Sequence, residues 1–292
     1  MRGEQMNNEI SIQDDFVFGS VMSNKRLCQR LIQLILPKVK IERIDFPTVQ
    51  KTVQESQFSR GVRFDVYTKD QDGVVYEIDM QVRHTRGLPQ RVRYYQGRID
   101  SEMLKHGQQY ASLRQSYVIF ICPFDPFGQG RHRYDFINYC KQNKSLELGD
   151  GRTAIFLNTK GTKNDVSNDL RNFLDYVDNK DVDNDEYVKE LRDYIRNLSK
   201  NTEWRNDYMD NKTHMMFHDE DVREEGKKAG IALGKKEGIV AGKLEAVRGT
   251  IELLHQMGLP EDQLKSKVQR QFDLSNAQMQ ELFGQLNRTA TD

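Results

Sequence analysis

The sequence predicts a mixed α/β domain followed by an α-helical C-terminal appendage. Three observations carry that expectation. Residues 116–122 (Ser-Tyr-Val-Ile-Phe-Ile-Cys) form a continuous apolar run of strand length, which reads as a strand buried on both faces. Residues 62–82 read as a hairpin of two alternating segments around Gln71-Asp72-Gly73. Beyond about residue 160 the patterning becomes helical, and glycines recur every fourth position at 226, 230, 234, 238 and 242.

Taken in order, residues 12–36 read as one helix. Asp14-Asp15 can cap it, Leu27, Leu31, Ile32, Leu34 and Leu36 give it an apolar stripe, and Pro37 stops it. Residues 39–46 alternate weakly and form a candidate strand. After the hairpin, Pro89 opens a helix running to about Lys105, with Gly107 at its end. Residues 133–140 and 152–158 are further strand candidates. Residues 171–193 carry eight acidic and four basic side chains with helical patterning. Near the end, helices are expected over 244–257 and 261–269. Another is expected to begin at Ser275, with Gln278 completing a capping box.

Composition narrows the function. The chain has 292 residues, enough for one sizeable domain and an appendage. Forty-four Lys and Arg balance forty-four Asp and Glu, so nucleic-acid binding would need a local basic patch. Cys28, Cys122 and Cys140 are too scattered for a disulfide framework and read as buried reduced thiols. Residues 1–10 are polar, without a signal-peptide core, and no apolar run approaches the ~20 residues of a membrane span. The expectation is a soluble, cytoplasmic protein with no membrane partner.

The hairpin carries the chemistry. If Gly73 is left-handed in a three-residue loop, Asp70 pairs with Val74. Phe64 then faces Met80 and Val66 faces Ile78, an apolar face. The opposite face sets Arg63 against Gln81, Asp65 against Asp79, and Tyr67 against Glu77. A one-residue slip would set polar against apolar throughout. Carboxylates converging on one face suit a hard divalent cation, although an ordinary wet sheet face would show the same pattern. The next segment is basic: Arg83, Arg86, Arg91, Arg93, Arg98 and Lys105 against Asp100 and Glu102. Arg91, Tyr95 and Arg98 share one helix face, which suits a phosphate backbone or simply a solvated surface.

These residues resemble the PD-(D/E)XK nuclease-like transposase family, the Rpn-type recombination-promoting nucleases. The resemblance rests on Asp15-Phe16-Val17-Phe18, Arg63-Phe64-Asp65-Val66, Tyr76-Glu77-Ile78-Asp79-Met80-Gln81, and Arg91 with Tyr94-Tyr95. Phe120–Gly128, Leu157–Gly161 and the glycine-every-fourth tail add to it. It covers about residues 11–245. It implies a restriction-endonuclease-like core and metal-dependent DNA cleavage, with Asp65 as the first acid and Asp79 as the second. Gln81 falls where the wider superfamily carries a lysine, and glutamine is common there in this subfamily.

The reading that follows is a metal-dependent DNA endonuclease of low sequence specificity, linked to recombination or transposition. Asp65 and Asp79, with the Met80 carbonyl, would hold Mg²⁺ or another divalent cation. Glu77 is the second-choice ligand. Gln81 would position the water, while Arg91, Tyr95 and Arg98 would contact DNA. Residues 1–10 are expected to be disordered, 11–210 to form the nuclease-like domain, 211–245 the glycine-periodic helical linker, and 246–292 a small helical segment. His214 and His218 stand at i, i+4 but lack the adjacent glutamate of a metalloprotease, so they read as ordinary helix residues. The Asn276–Leu286 helix has no Lys or Arg and is a poor DNA reader. Two other classes stay open: a catalytically weak DNA-binding or recombination accessory protein that keeps the fold, and a helical interaction or oligomerisation protein. A homodimer is left open as well.

Overall fold

The computed structural model describes residues 10–53 and 62–275. Two helices open the chain, α1 (Asp15–Met22) and α2 (Lys25–Ile35). The expected single helix over 12–36 is therefore broken, and capping is the reason. Asp14 accepts from the backbone N–H groups of Phe16 and Val17, and Asn24 accepts from those of Arg26 and Leu27. Each such cap contributes about 1 kcal/mol, so Asn24 starts a second helix rather than sitting inside the first.

A six-stranded mixed sheet follows, built from β1 (Thr48–Val53), β2 (Val62–Lys69), β3 (Val75–Met80), β4 (Ser116–Cys122), β5 (Arg133–Phe136) and β6 (Arg152–Asn158). Its order is β1-β2-β3-β4-β6-β5. β1, β2 and β3 are antiparallel, β3, β4 and β6 are parallel, and β5 returns antiparallel on β6. Residues 39–46 do not form the expected strand; only Ile44 bridges to Asp70 there, and the edge strand starts at Thr48. β5 ends at Phe136, short of the expected residue 140.

β3 crosses to β4 through α3 (Leu88–Met103), which begins after Gly87 at φ +85° with Pro89 in its first turn. After β6 come α4 (Asn168–Val177) and α5 (Glu186–Leu198). The sheet has a core on each side. Tyr76, Ile78, Met80, Ile119 and Ile121 pack against α1, α2, α4 and α5. Val75, Val118, Phe120 and Phe156 pack against Leu88, Val92, Tyr95 and Ile99 of α3. Every residue of β4 is buried, which is why its sequence is continuously apolar.

The chain divides into two compact units, residues 1–211 and 212–292. A long helix, α6 (Thr202–Gln256), runs unbroken through the glycine repeat. A Cβ at Gly226, Gly230, Gly234, Gly238 or Gly242 would meet nothing within 4 Å. In the second unit, Val247 and Ile251 of α6 pack on Leu264 and Val268 of α7 (Glu261–Phe272) after the turn at Gly258. The expected helix from Ser275 through Asn276–Leu286 lies outside the described residues, as does nearly all of the N-terminal decapeptide. Cys28 and Cys122 are buried, but Cys140 is half-exposed, unlike the expected buried thiol; all three are free. Among the described residues no helix is long and apolar enough to cross a membrane.

Candidate active site

The hairpin folds in the predicted register. Val66 pairs with Ile78 and Tyr67 with Glu77. Gly73 takes φ +77°, and its N–H donates to the Asp70 carbonyl at 3.1 Å. The Asp70 carboxylate accepts from the N–H groups of Asp72 and Val74, which locks the loop and hence the register.

The ladder stops at Val66–Ile78, one position before Asp65 and Asp79. The β1–β2 pairing also skips the position opposite Asp65, where Gln50 takes φ +51°. The alternation of faces changes phase across this break. Val66 lies in the core under α1 and α2, but Phe64 lies in the other core, 5.1 Å edge-on to the Tyr95 ring. The expected Phe64–Met80 apolar pair is therefore not formed. The local twist at Asp65 turns Phe64 toward α3, while Asp65 itself is released from the ladder and half-buried.

Asp65 and Asp79 are nevertheless electrostatic neighbours. The Met80 N–H donates to Asp65 Oδ2 at 3.1 Å, tying the first acid to the strand that bears the second. Asp79 is only 2% exposed. Burial pushes its pKa up to about 8, with the Asp65 charge adding to the rise and Arg91 opposing it. Burial and then the charge of Asp15 raise Asp65 to about 6, against the Met80 hydrogen bond. Glu77 is fully buried, and neither carboxylate oxygen has a hydrogen-bond partner among the described residues. Burial, then Asp79 and Asp65, hold its pKa well above the carboxylate range.

Asp15 joins this cluster from the first turn of α1. Burial and Asp14 raise its pKa, while Arg63, Arg91 and Arg83 oppose the rise. In the sequence Asp15 reads as part of a helix cap and of the opening motif, with no role at the site, because only the packing of α1 on the sheet brings it to Asp65. Its one early signal was its place in the Asp15-Phe16-Val17-Phe18 stretch.

α3 brings a cation to the acids. Arg91 Nη2 donates to Asp79 Oδ2 at 2.5 Å, Nη1 donates to Gln81 Oε1, and Nε donates to the Tyr95 hydroxyl at 2.7 Å. Burial would depress the Arg91 pKa, but Asp79, Tyr95 and Glu77 together outweigh it and raise the value. The Tyr95 hydroxyl is 3.4 Å from Asp79 Oδ2. Gln81 is buried, and its Nε2 donates to the Arg83 carbonyl. Arg98 is not brought to this cluster: it is buried one helix step further on, with its guanidinium over the Tyr94 ring at 5.4 Å. His214 is exposed on α6, in the second unit.

The residues fit a divalent cation in one respect above all. Asp65, Asp79 and Glu77 each have a pKa raised by burial and by a neighbouring carboxylate, and Glu77 has orphaned oxygens; an added positive charge would relieve all three. Among the described residues no three acidic, histidine or cysteine groups make a ready cage. A cation would then rest on one or two carboxylates and complete its shell with water and phosphate oxygens, as magnesium commonly does.

A model of the PD-(D/E)XK nuclease family transposases matches residues 13–225. The chain belongs to that family. The match includes the sheet, all the acids described above and the first part of α6, and the six-stranded sheet with flanking helices is the restriction-endonuclease-like α/β fold with a helical C-terminal part. Membership supports a nuclease- or recombination-related role, with DNA as the substrate the family implies. No curated protein and no solved structure matches the chain.

Proposed function

We propose that the chain is a metal-dependent DNA endonuclease of low sequence specificity that acts in recombination or transposition in the cytoplasm. The observation that supports this most is Asp79. It is an ionisable side chain, almost wholly buried, set beside a second acid and within hydrogen-bond reach of a partly exposed arginine. A structural role would not require burial of so much like charge.

Asp65 and Asp79 would hold Mg²⁺ or a similar ion, with Glu77 and Asp15 as neighbouring carboxylates and the Met80 carbonyl as a backbone donor. Such an ion supplies Lewis acidity and lowers the pKa of water. The Gln81 amide orients the attacking water, although it cannot lend the positive charge of a lysine. Arg91 binds the phosphate, and Tyr95 holds Arg91 in place through its hydroxyl. Exposed Arg63 and Arg83, close enough to lower the Asp15 pKa, extend the positive rim. The water oxygen adds to phosphorus and the bridging P–O bond breaks, leaving two strand ends. Arginine contacts to phosphate carry no sequence information, which is the basis for low specificity.

A plasmid-nicking assay tests this. Nicking should require a divalent cation, stop with chelator, and be lost in Asp79→Ala. A second reading, a catalytically weak DNA-binding or recombination accessory protein, draws on Gln81 in place of lysine and on Arg91 covering Asp79. DNA binding that persists without any cation-dependent nicking would favour that reading.

A further inference from the structure

The nuclease reading needs Asp79 and Gln81, and one side chain already holds both. The Arg91 guanidinium donates to Asp79 Oδ2, to Gln81 Oε1 and to the Tyr95 hydroxyl. It also lies over the Tyr95 and Phe120 rings, 4.9 Å and 5.3 Å from their centroids. All three guanidinium nitrogens are engaged and the group lies over two rings, so this is a built seat rather than a surface ion pair. Yet the seat is open outward: the Arg91 side chain is 35% exposed while that of Asp79 is 2% exposed. Arg91 holds one oxygen of Asp79, Oδ2, and a divalent ion on either oxygen of that carboxylate would sit close to the guanidinium; two cations that close repel strongly in a half-buried site.

We propose that Arg91 is an exchangeable counter-cation. It offsets part of the acid charge in the free protein, yields Asp79 and Gln81 when a divalent ion enters, and takes its charge to a DNA phosphate as it leaves. This inference rests on the metal-dependent reading above. It has a consequence that reading lacks. Ion and Arg91 compete for Asp79, so ion and DNA phosphate must help one another bind, each by the same factor. The protein would load its ion when DNA is present and keep Asp79 paired with Arg91 when it is not.

Calorimetric titration of the full chain with Ca²⁺, a hard oxygen-seeking probe, with and without a short DNA duplex, reads this without any turnover. In the absence of DNA, Arg91→Gln should bind the ion roughly tenfold or more tightly than wild type, because the competitor is gone. The duplex should tighten ion binding by wild type by a larger factor than by Arg91→Gln, where only direct ligation of the ion by phosphate oxygens remains; an equal factor in both overturns the exchange. Arg91→Lys keeps the charge but cannot fork across two oxygens, so it should also bind more tightly than wild type; it serves if the glutamine variant does not fold. Asp79→Asn should abolish the binding in every background. Affinity in the Arg91 variants equal to or weaker than wild type, with Asp79 dependence intact, overturns the exchange and leaves the metal site standing. If no chain shows Asp79-dependent binding, both the exchange and the metal-dependent reading fall.

Discussion

Strand β3 presents two faces that are equally buried and chemically opposite. Tyr76, Ile78 and Met80 point into one core, under the helices α1, α2, α4 and α5, where their neighbours are aliphatic or aromatic. Val75, Glu77 and Asp79 point the other way, toward α3, and Gln81 follows just beyond the strand. All six strand residues are buried. Burial therefore does not mark the site; what marks it is which buried groups are left in conflict. On the first face apolar contact satisfies every side chain, apart from the Tyr76 hydroxyl, which donates to Asp70 at 2.7 Å. On the second, carboxylates crowd one another and a single arginine offsets part of the charge. Native cores seldom tolerate such conflict without a function that uses it.

The comparison makes its sharpest statement at Asp79. Asp79→Ala should cut cation-dependent nicking by roughly 10²–10³-fold or more, the usual scale for a group acting on the transition state. Its melting temperature, measured without added cation, should hold or rise, because the substitution removes a buried like charge. Loss of fold and loss of activity together would mean that Asp79 is structural after all. Its neighbour Ile78 should behave the opposite way. Ile78→Ala removes a fully buried side chain from the apolar core and should cost about 2–5 kcal/mol in denaturant unfolding. Cleavage per folded molecule should stay near wild type.

Acidity separates the two faces again. Asp65 and Asp79 are raised from 3.8 to about 6 and about 8. Between those limits the unfolded chain has released protons that the folded chain still holds, so without metal the fold should lose stability as the pH rises from about 4 to about 8. Asp79→Asn should flatten that slope, and an equal slope in both proteins would contradict the assignment. Because a cation competes with those same protons, stabilisation by added Mg²⁺ should be larger at pH 8 than at pH 5.

Much of this was legible in the chain. β4 and β6 fall on the predicted residues, β4 because a strand covered on both faces must be nearly all apolar and β6 because its middle, Ala154–Leu157, is buried. The β2–β3 register follows from Gly73 and the requirement to keep like with like, and the chain folds that way. What was not legible depends on contacts between distant segments. Nothing local says that Asn24 begins a new helix rather than lying inside one, although its capping chemistry allowed it. The Thr48–Val53 edge strand hides behind a stronger-looking alternation at 39–46. The phase change at Phe64 coincides with a left-handed Gln50 on the neighbouring strand, which no pattern in β2 announces. Asp15 reaches the acids only after α1 has docked. The spacing of Arg91 and Tyr95 placed them on one face, but only the fold shows that this face seats a guanidinium on Asp79 and Gln81, while Arg98 goes under cover.

The smallest expected effect concerns the histidines of α6, which serve as a control on the argument. If buried carboxylates in electrostatic conflict are what define the site, a pair of metal-capable residues away from that cluster should contribute nothing. His214 is exposed, and it stands with His218 in the unit that lacks the acid cluster. Substituting both with alanine should leave cation-dependent nicking and its pH profile indistinguishable from wild type. The helix should also tolerate the change, since alanine has the higher helix propensity. A loss comparable to that of Asp79→Ala would mean that spacing along a helix outweighs burial and charge conflict here. The hairpin would then be at most part of the centre, and the reasoning that separates the two faces of β3 would have picked out a feature of folding rather than of catalysis.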